Sequence, residues 1–349
     1  MNKTLLAIGD IGDWDSYAKF HKKRRLLKEH EFGFVAADYD AVLNDDLPAI
    51  TSKTIVILLF FPFVYWDRHI EPRSYAGVYG NRRFYAKWKK FWRVVAGKLR
   101  RHYKGKKIHF VNSPENIPPE RDKQLTKEIL AAAHVPTPRS YRTTSTRTIL
   151  RLLRQGKPLF IKVRYGSMGK GITYLEEQKW LTNFCFRGGR ILNRHSDYGW
   201  RFRNVTGNER FLRQLLKEDV VIEEAVPRWL IRGVHFDLRA LVFFGRILYM
   251  IPRSNVGQNV TTNVSQGARP WTMSFLEGIS EELIGKARTT AVRATRALGL
   301  NFAGVDIMLD PHRQAPIVIE LNAFPGFPKV RTFNLAKSLI TEIGNRRWK

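Results

Sequence analysis

The segment 303–328, AGVDIMLDPHRQAPIVIELNAFPGFP, limits the folds open to this 349-residue chain more than any other. Two runs rich in β-forming residues, 303–309 and 316–321, flank the polar turn Asp310-Pro311-His312-Arg313-Gln314-Ala315. Antiparallel pairing about Arg313 sets Val305 opposite Leu321, Ile307 opposite Ile319 and Leu309 opposite Ile317, so one face is wholly apolar. Side chains alternate along a strand, and the same register therefore puts Asp306 across from Glu320 on the other face, with Asn322 two residues further on. Opposed Cβ atoms lie roughly 5 Å apart, where like charges repel unless something positive stands between them. Two carboxylates and an amide carbonyl are hard oxygen donors of the kind that hold Mg²⁺ alongside phosphates and water. The alternative is a surface hairpin with solvated acids, so the decision rests on the rest of the chain.

The length allows two or three compact units. The longest apolar run, 54–66, is broken by Pro62 and is shorter than the roughly 20 residues a membrane helix needs. Asp10, Asp13 and Asp15 follow a short apolar N-terminal segment, unlike a signal peptide, and a cytoplasmic location is expected. A single cysteine, Cys185, excludes an internal disulfide and a cysteine-based metal cluster. The net charge of +29 implies affinity for polyanions: nucleic acid, a ribosome, an anionic membrane, acidic peptides or phosphorylated metabolites.

Residues 1–115 read as an α/β unit with strands at 3–8 and 54–61 and a basic helix over 16–30. Gly9 and Gly12 are too sparse for a dinucleotide fingerprint and mark a strand-end turn. No acidic residue occurs between Glu71 and Glu115, while 82–107 carries twelve Lys or Arg interleaved with aromatic residues. Phe84, Trp88, Phe91, Val95 and Leu99 follow helical spacing. Such a helix can lie on an anionic surface, but an aromatic stripe at this spacing is more often core packing, the reading adopted here.

A Pro-rich passage, 113–119, closes this unit. A helix then carries Lys123 on its first turn, ahead of 157–172, which reads as strand, glycine loop, strand. In the loop Gly166-Ser167-Met168-Gly169-Lys170-Gly171, the three glycines let backbone N–H groups approach a phosphate, and Lys162 enters on the preceding strand. A plain hairpin turn would look similar, and it is not a Walker A loop. The segment 180–218 is basic, aromatic and irregular; its His195 has no neighbour at metal-ligand spacing. The strand 220–226 ends in Glu223 and Glu224, and the hairpin 233–249 carries Asp237 and Arg239 on one face. Arg253 and Asn263 follow in a polar region, and a helix spans 281–298.

In this order the pieces resemble the ATP-grasp superfamily, most closely its RimK-like branch of carboxylate–amine ligases, which includes ribosomal-protein glutamate ligases. AGVDI and VIELNAFPGF carry the resemblance, which covers about 121–340; GSMGKGI is also similar to the YheC/YheD-like branch. The resemblance implies an α+β ATP-grasp fold, two α+β subdomains (116–219 and 220–349) gripping ATP behind a small α/β domain (1–115). It implies that Lys123 and Lys162 bind ATP and that Gly166 to Gly171 fold over its triphosphate. The strand end Glu223, Glu224, Ala225 and Val226 would receive adenine through backbone hydrogen bonds and a carboxylate, with Asp237 at the ribose. Arg239, Arg253 and Asn263 would act at the reacting centre, and Asp306, Glu320 and Asn322 would hold two Mg²⁺, or Mn²⁺. The activity implied joins a carboxylate substrate to an amine acceptor, such as an anionic peptide, protein or polymer, with peripheral contact to a membrane or ribosome open. The stretch between Lys162 and Glu223 is longer than the RimK-like pattern, which leaves the acceptor undetermined. Two other readings stand beside it: an ATP-grasp phosphotransferase acting on a hydroxyl, and a polyanion- or membrane-surface-binding protein with a vestigial nucleotide site.

Overall fold

A computed structural model describes residues 2–10, 15–72, 78–193, 200–255, 260–263 and 267–348. Asp13, Gly12 and His195 lie outside them. Among the described residues, no helix is long and apolar enough to cross a membrane.

The first unit is a parallel sheet in the order Phe32–Ala37, Lys3–Ile8, Thr54–Leu59, Lys107–Phe110. Its central strands are apolar from Leu5 and from Ile55 onwards, as fits a parallel sheet with helices on both faces. The helix expected over 16–30 is an α-helix only at Ser16–Lys23 and tightens to a 3₁₀ helix at Arg24–His30.

The aromatic stripe lies in the helix Arg82–His102, which Asn81 caps through its side-chain oxygen. Phe84, Trp88, Phe91, Trp92, Val95, Ala96 and Leu99 are all buried. The basic residues face outwards, so the packing reading holds. Trp92 stacks at 5.5 Å on Phe324, two residues beyond Asn322, and Phe61 meets Phe324 at 5.8 Å. Phe327 packs on Phe60. These phenylalanines anchor the turn that leaves the C-terminal hairpin to the first unit. Asn112 adds polar clamps: its amide donates to Phe302 O at 2.7 Å, and its oxygen accepts from the N–H groups of Asn301 and Phe302.

The second sheet is antiparallel, ordered Arg203–Asn204, Lys179–Thr182, Ile172–Glu176, Leu159–Val163, Val220–Glu224, Ser140–Tyr141. It extends past residue 219, the end expected for the middle unit. The third runs Arg269–Pro270, Arg246–Asn255, Val234–Phe243, Phe302–Asp310, Ala315–Asn322, backed by the helix Glu281–Ala297. Phe244 and Gly245, both at positive φ, make the expected turn.

The C-terminal hairpin pairs Val305 with Leu321 and Asp306 with Glu320, as its sequence requires. Beyond Asp306 a bulge shifts the register, so Ile307 faces Val318, and Met308 faces Ile317. Ile319, expected opposite Ile307 on the apolar face, is turned to the other side.

Replacing Trp92 by Ala empties a fully buried site and should cost about 3–5 kcal/mol in urea unfolding. Replacing exposed Arg93 by Gln should leave the midpoint nearly unchanged.

Candidate active site

A cleft of about 100 Å³, its mouth open to solvent, lies between the second and third sheets. Of the residues singled out in the sequence, Lys123, Lys162, Ser167, Gly169, Lys170, Glu223, Glu224, Val226, Asp237, Arg253, Asn263, Asp306 and Glu320 line it. Arg239 reaches it through Asp306, Met168 points out to solvent, and the N–H of Ala225 is committed to Pro158 O at 2.9 Å.

The opposed carboxylates draw positive charge from the chain itself. Asp306 is 3% exposed and receives a two-pronged bond from Arg239, one prong at 2.7 Å, and Arg253 Nη2 at 2.9 Å. Burial pushes the Asp306 carboxyl up, but Arg239 and Arg253 outweigh it and hold it below the usual range. Glu320 pairs with Lys123 at 3.0 Å. Asp237 sits two residues before Arg239 on the same strand face and opposite Arg253, which grips it with two nitrogens, one at 2.8 Å. The carboxylate expected at a ribose is thus committed to an arginine.

Glu223 differs similarly from the sequence expectation. Its carboxylate is buried between Lys162 and Lys127, the latter at 2.6 Å, and is not open to an adenine amine. Burial raises its pKa, yet the two lysines override that and hold it at about 2. Lys127 lies four residues after Lys123 on one helix face, a spacing that could have revealed it. Glu224 accepts from Arg139 N–H at 3.1 Å and from Arg313 at 3.2 Å.

The glycine loop joins Leu159–Val163 to Ile172–Glu176. A Cβ on Gly166 would come within 2.3 Å of a Val163 methyl, and one on Gly171, at φ +68°, would meet the same side chain at 2.7 Å. Only glycine fits at either position. The Lys123 ammonium donates to Gly166 O at 2.5 Å, tying helix to loop.

Between loop and hairpin the wall is apolar: Phe160, Ile172, Met308 and Ile319 line the cleft. Phe160 and Met308 were legible by alternation from Lys162 and Asp306, whereas Ile319 depends on the bulge. Arg228, His235, Thr261 and Thr262 also line it and carry no sequence signal. Burial, then Arg228, lowers His235 to about 4, leaving its imidazole neutral near pH 7.

A divalent cation fits the hairpin's donors. Asp306 and Glu320 face each other in register, and Asn322 has a buried Nδ2 without a hydrogen-bond partner, so its amide can turn its oxygen inwards at no cost in bonds. Among the described residues no group of three or more His, Cys, Asp or Glu could hold a metal, so Asn322 and a bound phosphate would have to complete the shell.

Three comparisons bear on this cleft. The profile of the YheC/D-like ATP-grasp family matches residues 121–339. A probable alpha-L-glutamate ligase of Syntrophotalea carbinolica is 26% identical over 236 residues, 66% of this chain and 65% of that protein. The tetrahydromethanopterin:alpha-L-glutamate ligase of Methanocaldococcus jannaschii is 25% identical over 90% of this chain and 98% of that protein. Among solved structures, the ATP-grasp ligase PsnB with minimal precursor, Mg and ADP superposes with TM-score 0.55 at 14% identity, covering 98% of each chain. The D-alanine–D-alanine ligase of Bacillus anthracis gives 0.53 at 14% identity, covering 98% of this chain and 92% of its own.

The Glu223 carboxyl, ordinarily near 4.5, is depressed on folding, so its contribution is complete above that pH and is lost as pH falls towards 2. Glu223→Gln should lower stability at pH 7 by about 3 kcal/mol, with wild type and variant converging near pH 2 in acid-unfolding curves.

Proposed function

The chain belongs to the YheC/D-like ATP-grasp family, and we propose that it is an ATP-dependent carboxylate–amine ligase. The observation that carries this reading is convergence. Two lysines, a glycine loop and an opposed carboxylate pair, spread over almost 200 residues of sequence, line one cleft. The glutamate ligases and the peptide-bound ATP-grasp ligase among its relatives support an amino-acid or peptide-like substrate.

Adenine would be received by the apolar wall of Phe160, Ile172, Met308 and Ile319, beside the backbone at Val226. Lys123, Lys162 and Lys170 neutralise the phosphates, and the loop 166–171 folds over them. Asp306, Glu320 and Asn322 would hold Mg²⁺, which when bound would neutralise charge at the transferring phosphoryl group. Arg239 and Arg253 face the same region from behind Asp306, with Asp237 fixing the orientation of Arg253. Asn263 stands on the cleft wall as a polar contact for the reacting groups.

A substrate carboxylate attacks the γ-phosphorus, giving an acylphosphate and ADP; an amine then attacks the acyl carbon and phosphate leaves. Positioning and electrostatics account for the rate, so no protein nucleophile is needed, consistent with a single half-buried cysteine. We place this activity in the cytoplasm, where ATP and Mg²⁺ are supplied.

Incubation with ATP, Mg²⁺, an amino-acid mixture and candidate acceptors should release ADP and phosphate in equal amounts, with an acceptor mass gain equal to a condensed amino acid. ADP without free phosphate would identify a phosphotransferase and overturn the ligase reading.

A further inference from the structure

The glycine loop is held from an unexpected direction. Its side-chain and backbone groups, with the adjoining Tyr165, meet Glu71, Tyr79, Gly80 and Tyr85 of the first unit, about 80 to 100 residues earlier in the chain. Tyr79 is 2% exposed, and its hydroxyl accepts the Ser167 N–H at 3.0 Å and lies 3.3 Å from Ser167 Oγ. Gly80 O accepts from Tyr165 N–H at 3.1 Å, and Tyr85 stacks on Tyr165 at 4.8 Å. A Cβ on Gly80, at φ +72°, would stand 2.7 Å from a Val163 methyl and 3.0 Å from Gly166 N, so the two backbones touch.

The charged member of this contact is Glu71. Its Oε1 lies 3.3 Å from the Lys170 ammonium, which is 7% exposed, lines the cleft and sits 5.1 Å over the Tyr79 ring. Glu71 is itself steered, because its Oε2 accepts from the buried Trp66 indole at 2.8 Å. A carboxylate fixed in place thus holds the ammonium that the loop offers to the cleft.

We propose that Glu71 is a positioning residue that competes with the nucleotide triphosphate for Lys170, so that the first unit sets how tightly the loop closes on ATP. The inference rests on the nucleotide reading of the cleft. An anion arriving beside Lys170 must draw the ammonium from Glu71 and also meets the repulsion of the Glu71 charge. Trading the Lys170–Glu71 pair for a Lys170–phosphate pair keeps the ammonium compensated throughout, which a buried cation requires. The Tyr79 and Gly80 contacts are uncharged and stay in place, so they hold the loop near the cleft while Lys170 changes partner.

The direction of the effect separates this from ordinary structural damage, which weakens binding. Glu71→Gln keeps an acceptor for the Trp66 indole and removes only the charge. Calorimetric titration with Mg·ATP should show binding about five-fold tighter in this variant, even though its melting temperature without nucleotide falls, with the gain shrinking as salt rises. Lys170→Ala should weaken binding, and adding Glu71→Gln to it should give a smaller gain than in the wild type. Unchanged or weaker binding in a folded Glu71→Gln protein would overturn the inference, as would a gain undiminished in the Lys170→Ala background. If Lys170→Ala itself left Mg·ATP binding unchanged, the placement of the triphosphate on the loop would fail, and this inference with it.

Discussion

Two carboxylates placed face to face on neighbouring strands are the constraint on which the rest of the cleft depends. Like charges directly opposed across two strands are destabilising unless cations stand beside them, and the chain brings three: Arg239 and Arg253 on Asp306, and Lys123 on Glu320. Each cation arrives from a different element, so the pair draws the strand Val234–Phe243, the strand Arg246–Asn255 and the helix Lys123–Ala132 to one point. Mg²⁺ held there as proposed would supply the same charge and leave the guanidinium and ammonium groups to phosphate oxygens.

Around that point the three units are cross-braced. Asn112 ties the end of the first sheet to the start of the hairpin, and Trp92 and Phe61 hold Phe324 just past Asn322. Arg121 is buried under the rings of Phe61, Trp66 and Trp88, at 4.8 Å from the Trp66 centroid, beside Glu120, whose carboxyl burial raises to about 7. The basic aromatic helix therefore serves the site through its apolar side, while its outward Lys and Arg residues account for part of the net charge of +29. The first unit thus braces the hairpin that carries the candidate metal ligands and also touches the glycine loop.

Much of this was legible in the sequence because it is local. Two-residue alternation was enough to oppose Asp306 and Glu320, and 3.6-residue spacing identified Phe84, Trp88, Phe91, Val95 and Leu99 as a core stripe. The turn at Gly245 and the boundaries of the helix Glu281–Ala297 followed from punctuation and periodicity. Non-local contacts were not legible. A bulge at Ile319 adds one residue to one strand without any change in composition, and it moves an isoleucine from the core to the cleft wall. Glu223 read as an open carboxylate because nothing nearby in sequence shows that Lys127 and Lys162 close on it. The resemblance put Asp237 at a ribose, while its partner Arg253 lies across the hairpin. Two of the four strands in the first sheet were hidden, Phe32–Ala37 by its weak strand formers Gly33, Ala36 and Ala37, and Lys107–Phe110 by its short length and mixed polarity.

The most direct test of this account is electron paramagnetic resonance of Mn²⁺ titrated with the protein and ATP. The account predicts a protein-bound Mn²⁺ coupled to ³¹P of the nucleotide, abolished when Asp306→Asn and Glu320→Gln are combined while the variant stays folded. Mn²⁺ and ATP bound together with undiminished affinity in that variant would contradict the assignment of the opposed carboxylates as the metal site.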